Sequence, residues 1–216
     1  MTSKITLINE QIGAVWINFK KIDSTNKKAH SLALQGIKEG TVVTADMQTK
    51  GKGRRGNFWH SPEGGLYCSI ILRPKITLKE TMLFEKIVGI AVWETIAHFI
   101  PQKPRIKAPN DILIKGKKVA GILIEVKGNK DRLIYLIIGI GINCWGSLDS
   151  FPYDLRSKVT TLSQETDRFI TPSETLDVFL TFMNKWYHVF LSGEIVRISN
   201  QWEKLLQEGT SCPVCS

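Results

Sequence analysis

Three strand-like runs, with only short turns between them, constrain the fold of this chain most. They cover residues 111–115, 119–126 and 133–143 and are rich in isoleucine, leucine and valine. A turn containing Gly116 separates the first two runs, and one containing Gly128 separates the second two. Because such short connections join neighbouring antiparallel strands, the sequence predicts a hairpin-linked sheet in the middle of the chain.

Helical patterns lie on both sides of these strands. Thr77 and Glu80 form a capping box before a long helical pattern that Pro101 ends. Thr171 and Pro172 mark the start of a second long helix. The other predicted elements are strands at residues 15–19, 41–46 and 66–72 and helices at about residues 26–37 and 194–206. The pattern predicts an α+β fold in which helices cover a mixed, largely antiparallel sheet.

The composition fits one globular domain with excess positive charge. The 216 residues are 43% hydrophobic, and 29 basic against 20 acidic side chains give a net charge of +9. This balance suits a nucleotide, a nucleic acid or an acidic protein as partner, without choosing among them. No secretory signal is visible, and the longest apolar run, residues 133–142, is too short to span a membrane. We therefore expect a cytoplasmic protein.

The four cysteines give little sign of metal or redox chemistry. Cys68 and Cys144 lie in apolar, strand-like sequence, where a buried free thiol is the usual explanation. Cys212 and Cys215 have C-x-x-C spacing, but neither a second pair nor a following helix accompanies them. A metal or redox role for this terminal pair is therefore not favoured.

Residues 48–59, called the basic loop below, combine glycines, cations and a tryptophan. Gly51, Gly53 and Gly56 let the backbone turn and approach a ligand closely. The cations suit phosphate or carboxylate and the tryptophan suits a base: Lys50, Lys52, Arg54, Arg55 and Trp59. We therefore predict an anion-binding loop. Its glycines and mutually repelling cations also predict that it is mobile without ligand.

The glycine spacing in the basic loop also matches the dinucleotide pattern G-x-G-x-x-G, which requires a helix directly after the glycines. The residues that follow Gly56 contain a proline and two glycines and cannot begin a helix before Leu66. A Walker loop is excluded too, because no glycine precedes Lys-Ser or Lys-Thr. A solvated basic loop without a ligand stays an equal alternative on these residues alone.

Four further segments place polar groups in apolar or turn sequence. They are Ser24-Thr25-Asn26, Lys107-Ala108-Pro109-Asn110-Asp111, Lys118-Val119-Ala120-Gly121-Ile122 and Gly139-Ile140-Gly141-Ile142-Asn143. Some have explanations that need no ligand: the first caps a helix, the second forms a turn, and the glycines of the last allow close packing or a bulge. Taken singly, they identify no site.

Taken together and in this order, the basic loop and the four segments resemble the motifs of the biotin–protein ligase family. Gly-Lys-Gly-Arg-Arg-Gly is similar to the family's biotin- and nucleotide-binding signature, and Lys-Ala-Pro-Asn-Asp is similar to its Lys-Trp-Pro-Asn-Asp motif. The resemblance runs from about Asp23 to Asn143, with a weaker continuation to Trp202. It implies the class II aminoacyl-tRNA synthetase-like fold of biotin–lipoate ligase catalytic domains.

The activity that the resemblance implies is ATP-dependent, AMP-forming ligation. Biotin and ATP give biotinyl-5'-AMP and pyrophosphate, and biotin then passes to a lysine of a biotin carboxyl carrier protein, as in acetyl-CoA carboxylase. The biotin carboxylate and the α-phosphate of ATP are both anions, so fixed positive charge and Mg²⁺ are expected beside them.

The resemblance also implies roles for single residues. The implied catalytic residues are Lys118, Arg54 and Asp111, of which Asp111 would contact the attacking amine. The implied biotin-binding residues are Ser24, Thr25, Asn26, Gln48, Gly51, Lys52, Arg54, Lys118 and Gly121. The implied ATP-binding residues are Lys52, Arg54, Arg55, Trp59, Asn110, Lys118 and Asn143. Asn110 is in addition the implied metal ligand.

The chain departs from the family's motifs at three positions. Lys52 replaces the usual arginine and loses its bidentate fork, Asn57 replaces a basic residue of some members, and Ala108 replaces a bulky tryptophan.

Both ends of the chain are expected to be short relative to the family. About 22 residues precede Asp23, too few for a winged helix-turn-helix, so direct DNA binding is not expected. We predict a catalytic domain at residues 1–205 and a short tail at residues 206–216 in place of a β-barrel domain. An exposed sheet edge would allow a homodimer.

Two other functions are weighed against biotin ligation. A lipoate or octanoate ligase or transferase of the same fold would need an apolar tunnel, which the polar Ser24, Thr25 and Gln48 do not suggest. A basic nucleic-acid-binding module would suit the charge, but no basic stripe interleaved with aromatic residues is present.

Overall fold

Seven strands and five helices make up the part of the chain that the computed structural model describes, residues 12–208. The strands are β1 (Trp16–Ile22), β2 (Val42–Gln48), β3 (Gly65–Leu72), β4 (Arg105–Lys107), β5 (Asp111–Ile114), β6 (Lys117–Asn129) and β7 (Arg132–Asn143). The helices are α1 (Thr25–Leu34), α2 (Leu83–Phe99), α3 (Tyr153–Arg156), α4 (Pro172–Leu191) and α5 (Ile195–Glu208). None of these described helices has the length and apolar character needed to cross a membrane.

All seven strands form one mixed sheet in the order β1-β2-β3-β7-β6-β5-β4. The neighbours β1 and β2 run parallel, with α1 crossing between them, and every other neighbouring pair is antiparallel. The pairing sets Gly121 opposite Gly141, and it sets Gly139 opposite Ser69. Because side chains alternate between the faces of a sheet, this register decides which of them share the floor of the site.

Helices pack on both faces of the sheet. On the first face, α2, α4 and α5 cover the larger core, which includes Cys68 and Ile140. On the second face, Ala29 of α1 packs in a smaller cluster with Ile71 and Ile137. The small alanine lets the helix lie close to the strands. The glycine-rich part of the second face, beside α1, carries the site described below.

The structure confirms the α+β fold, the mixed, largely antiparallel sheet and the two predicted helix caps. Thr77 and Glu80 exchange hydrogen bonds, from the Thr77 N–H to Glu80 Oε2 at 2.7 Å and from the Glu80 N–H to Thr77 Oγ1 at 3.4 Å. The Thr171 hydroxyl accepts from the Glu174 N–H at 3.1 Å. These local signals are reliable because they depend on residues within one turn of each other.

Some element boundaries differ from the predictions. The capping box leads first into a 3₁₀ turn, Lys79–Met82, so α2 begins only at Leu83. Helix α1 ends at Leu34 rather than near residue 37, because Gly36 adopts a left-handed φ of 79° and turns the chain. The predictions omit β4 and α3, since elements of three or four residues have no periodic pattern.

The prediction for the first two cysteines is also confirmed. Cys68 and Cys144 are buried and free, and burial raises the pKa of the Cys144 thiol to about 12. Cys212 and Cys215 lie outside the described residues.

Candidate active site

A cavity of about 310 Å³ opens beside α1, between the basic loop and the second face of the sheet. Its lining contains a neutral polar group, Ser24, Thr25, Asn26 and Gln48. It also contains a cationic group, Lys52, Arg54, Arg55 and Lys118. One cavity therefore offers both uncharged hydrogen-bonding groups and positive charge to a ligand.

Three glycines form the floor of the cavity because larger residues would not fit. A Cβ atom at Gly121 or Gly141 would overlap the indole of Trp59, and one at Gly139 would overlap the amide of Asn26. The glycines are thus required by the close approach of other side chains to β6 and β7. Any side chain at these positions would displace the basic loop or α1.

A chain of hydrogen bonds holds the neutral polar side chains. Gln48 Oε1 accepts from the Thr25 N–H at 2.8 Å and from the Thr25 hydroxyl at 3.1 Å. Ser69 Oγ on β3 lies 2.8 Å from Thr25 Oγ1 and 2.6 Å from Asn26 Oδ1. Asn26 Nδ2 donates to Glu125 Oε2 at 2.8 Å. Because buried polar groups need partners, this network holds the side chains in one arrangement.

The basic loop is folded as a hairpin over the cavity. The Gly53 N–H donates to the Asn57 carbonyl at 2.7 Å, and the Trp59 N–H donates to the Gly51 carbonyl at 2.9 Å. A single 3₁₀ turn, Arg54–Gly56, forms the tip. The next strand or α-helix after the glycines is strand β3 rather than a helix, which confirms that this is not a dinucleotide-binding turn. The mobility of the free loop stays a prediction.

Two cations of the cavity, Lys118 and Arg54, contact the neighbouring residues Asp111 and Asn110. Lys118 Nζ lies 2.7 Å from Asp111 Oδ1 and 5.0 Å from the centroid of a Trp59 ring. Asn110 Nδ2 donates to Asp111 at 3.1 Å, and Asn110 Oδ1 accepts from Arg54 at 3.4 Å. Arg54 and Lys118, from the basic loop and from β6, thus lie on either side of Asn110 and Asp111. Lys118, held on β6 by its ion pair with Asp111, is thus in place before any ligand binds.

Most residues proposed from the sequence meet at this cavity. Those that line it are Ser24, Thr25, Asn26, Gln48, Lys52, Arg54, Arg55, Trp59, Asn110, Asp111, Lys118 and Gly121. Gly51 and Asn143 do not line it. Gly51 is buried beside the Trp59 carbonyl, and Asn143 is buried with its Nδ2 donating to the Thr160 carbonyl at 3.0 Å.

The site residues that the sequence prediction omits include Phe58 and Leu123 in the lining, and Ser69 and Glu125, which hydrogen-bond to lining residues. Ser69 is a single hydroxyl inside the apolar run of β3, which is a weak signal. Glu125 was identifiable in principle, because residues two and four positions apart on a strand face the same side, and Gly121 lies four residues before it on β6.

The three departures from the family's motifs lie in different surroundings. Lys52 Nζ pairs with Glu125 Oε1 at 3.2 Å, and Asn57 lines the cavity. Ala108 is exposed and is not part of the lining. The methyl group of Ala108 therefore adds nothing to the wall of this cavity, although the adjacent Pro109 lines it.

The fold and the cavity define a domain with a polar, cationic cavity between a glycine-rich loop and a mixed sheet. A sequence model of the biotin/lipoate A/B protein ligase family matches residues 18–143, more than half of the chain. The chain belongs to the biotin/lipoate A/B protein ligase family.

Individual relatives agree with this assignment. The bifunctional ligase/repressor BirA of Bacillus spizizenii is 40% identical over 198 residues, which cover 91% of this chain and 61% of that protein. The biotin–[acetyl-CoA-carboxylase] ligase of Paracoccus denitrificans is 30% identical over 185 residues, covering 84% of this chain and 77% of that protein. Among solved structures, the biotin protein ligase of Aquifex aeolicus in complex with biotin and ATP superposes with a TM-score of 0.69 and 33% identity, covering 82% of this chain and 72% of that one.

Proposed function

We propose that this chain is a biotin–protein ligase. It would join the carboxylate of biotin to the α-phosphate of ATP, giving biotinyl-5'-AMP and pyrophosphate. A lysine amine of a biotin carboxyl carrier protein would then attack the mixed anhydride and release AMP. The similarity to named biotin ligases, one of them solved with biotin and ATP, supports this choice of substrates.

The observation that carries the proposal is the joint presence of neutral polar and cationic groups in one cavity. The ureido ring of biotin is uncharged and polar, so it suits Ser24, Thr25, Asn26 and Gln48. The biotin carboxylate and the ATP phosphates are anions, which suit the cations that line the same cavity. A substrate with a neutral polar head and a carboxylate tail matches both groups at once.

The first step brings two anions together, so its transition state depends on fixed positive charge. We assign this role to Arg54 and Lys118, which would contact the biotin carboxylate and the α-phosphate. Lys118 is paired with Asp111 at 2.7 Å. An arriving anion would either bind Lys118 together with Asp111 or displace Asp111 from it. Asp111 would then be available to contact the incoming lysine amine. No covalent bond to the enzyme is needed, because substrate groups do the attacking.

The adenine of ATP is assigned to Trp59 and Asn143. Trp59 offers a flat apolar face, and Asn143 an amide that the Thr160 carbonyl orients. Trp59 Nε1 and Asn143 Oδ1 are the two buried side-chain polar atoms among residues 12–208 that have no hydrogen-bond partner. Such atoms cost free energy unless a ligand or water satisfies them. Trp59 lines the cavity, so its unpaired Nε1 supports a polar ligand there, whereas Asn143 lies outside the lining and has this role from the family resemblance alone.

Mg²⁺ is part of the proposal. Asn110 and Asp111 present side-chain oxygens at the cavity, which are the ligand type that this ion prefers. No group of three or more His, Cys, Asp or Glu side chains within residues 12–208 could hold a metal ion. The two oxygens therefore fit an ion that takes its other ligands from ATP phosphates and water, and its charge would help to neutralise those phosphates.

The alternative substrates fit the cavity less well. Lipoate and octanoate have apolar chains, whereas the network through Thr25, Asn26 and Gln48 places hydrogen-bonding groups where such a chain would lie. A nucleic-acid-binding role has no specific support in the geometry.

The wider setting of the enzyme is also a proposal. The chain spans 61% of the length of the two Bacillus relatives, so activities of those whole proteins do not transfer automatically. We propose a catalytic domain at residues 1–205, although α5 continues to Glu208. A carboxyl carrier protein as partner, a homodimer through a sheet edge and a cytoplasmic location complete the proposal.

Two assays test the function. Biotin-dependent exchange of labelled pyrophosphate into ATP measures the first step, and an avidin blot of a carrier domain measures the second. Lipoate and octanoate in place of biotin serve as controls for the alternative substrates. Folded protein that gives neither signal with biotin would rule out the ligase function.

A further inference from the structure

Glu125 joins two parts of the site without lining the cavity itself. Its Oε2 accepts from Asn26 Nδ2 at 2.8 Å, and its Oε1 accepts from Lys52 Nζ at 3.2 Å. Asn26 belongs to α1 and Lys52 to the basic loop, and both line the cavity. One carboxylate on β6 therefore connects the sheet to a helix and to a loop at the proposed substrate.

We propose that Glu125 is a positioning residue that sets the affinity for biotin by holding Asn26 and Lys52. This inference rests on the proposed function, because it assigns the polar end of the cavity to the ureido ring. It concerns biotin binding alone, and not the charge stabilisation assigned to Arg54 and Lys118.

The charge of Glu125 fixes the direction of the hydrogen-bond chain. An ionised carboxylate only accepts, so Asn26 must turn Nδ2 toward Glu125 and Oδ1 toward Ser69. The Ser69 hydroxyl then donates its single proton to Asn26 Oδ1 at 2.6 Å, and the Thr25 hydroxyl, whose oxygen lies 2.8 Å from Ser69 Oγ, donates to Gln48. Without the charge, Asn26 would be free to present its two ends the other way round.

This direction determines which hydrogen-bond donors and acceptors the network offers to a ligand. Thr25 Oγ1 retains a lone pair, which accepts from an N–H. Asn26 Nδ2 retains a second proton, which donates to a carbonyl oxygen. A cyclic urea has two N–H groups and one carbonyl, so it needs both kinds of partner. The orientation set by Glu125 therefore matches the polar head of biotin.

The two contacts of Glu125 contribute unequally. Asn26 is 4% exposed, so its hydrogen bond to a charged group is shielded from water. The Lys52 side chain is 48% exposed, and ion pairs at that exposure contribute little. The ion pair with Glu125 also offsets the charge of Lys52, which lines the same cavity. We expect most of the effect to pass through Asn26.

The test is Glu125→Gln, which keeps the shape and removes the charge. We expect the dissociation constant for biotin, measured by calorimetry without ATP, to rise about tenfold, as the loss of one charge-assisted hydrogen bond implies. The KM for biotin should rise in parallel, while the KM for ATP and the kcat of adenylation stay within about twofold of wild type, as for any interaction used only in binding.

Glu94→Gln is the matched control. Glu94 on α2 is likewise bound by a lysine and an uncharged N–H, from Lys185 at 3.0 Å and Trp186 at 2.8 Å, and it does not line the cavity. Its loss should lower stability without changing biotin affinity. A second variant, Lys52→Met, should raise the biotin dissociation constant by a smaller factor. Because Lys52 and Glu125 contact each other, the double variant should raise that constant by less than the product of the two single effects.

Three results would overturn the inference. One is an unchanged biotin dissociation constant in Glu125→Gln while the wild type forms biotinyl-5'-AMP. Another is an equal loss of affinity for biotin and ATP, which would indicate a general structural role. If Glu125→Gln does not fold, unchanged biotin binding by a folded Asn26→Ala variant would count in the same way, since Asn26 is the main contact through which Glu125 acts. Failure of the proposed function itself is recognised separately, since the wild type would then form no biotinyl-5'-AMP.

Discussion

Replacement of Lys118 by alanine separates catalysis from stability in this site. The side chain pairs with Asp111 at 2.7 Å, contacts the Trp59 ring and is about one-third exposed. Loss of a preorganised charge beside a developing anion typically lowers a rate by about 10²- to 10³-fold, or roughly 2.7 to 4 kcal/mol. We expect adenylation by Lys118→Ala to fall by about this factor.

The effect of Lys118→Ala on folding should be much smaller. A partly exposed ion pair contributes about 1 kcal/mol at most, and a cation–π contact about 0.5 to 1 kcal/mol. The free energy of unfolding should therefore fall by about 1 to 2 kcal/mol, which leaves a domain of ordinary stability folded at room temperature.

The assay for Lys118→Ala is pyrophosphate exchange, with thermal unfolding measured on the same protein. The neighbouring Lys117 is exposed and does not line the cavity, so Lys117→Ala controls for the loss of one positive charge. Folded Lys118→Ala that adenylates biotin within about threefold of wild type would refute the charge-stabilisation argument.

Three further outcomes are expected. Gly141→Ala should lower biotinyl-5'-AMP formation and shift Trp59 fluorescence, because the added methyl overlaps the indole; a variant with wild-type activity would show that the basic loop adapts freely. Burial alone would raise the pKa of Glu165, but hydrogen bonds such as that from Lys115 hold this pKa below its usual value. The ionised Glu165 side chain should therefore stabilise the fold by about 1 kcal/mol above pH 4.5, and this contribution should be lost as acid protonates Glu165 in the folded protein. Urea unfolding of wild type and Glu165→Gln at pH 7 and pH 3 measures this difference, which should shrink at pH 3; an equal difference at both pH values would contradict the prediction. Trypsin should cut the basic loop faster in the free protein than with biotin and ATP present, and equal rates would contradict the predicted mobility.

The sequence predicted the fold well where the signals are local. The hairpin turns at Gly116 and Gly128, the caps of Thr77 and Thr171 and the long helices all depend on neighbours within a few residues. Element ends were less certain, since the start of α2 and the end of α1 depend on packing and on a single left-handed glycine. Short elements such as β4 exist only because a longer strand pairs with them.

The candidate site was predicted through its chemistry rather than its geometry. Glycines next to cations indicated an anion-binding loop, and the order of the polar segments indicated the family. Neither signal showed that Asn26 and Glu125, 99 residues apart, form a hydrogen bond, or that Trp59 lies against Gly121 and Gly141. Such contacts depend on which strands become neighbours, and this is a property of the whole sheet.

The sequence by itself determined the types of element, the charge of the basic loop and the set of polar residues, because these follow from composition and from periodicity along the chain. The tertiary structure alone decided that the register of β3, β7 and β6 gathers Ser69, three glycines and Glu125 on one face. A shift of β6 by one residue would turn Glu125 to the opposite face and remove Gly121 from beneath Trp59, so the site exists only in this pairing.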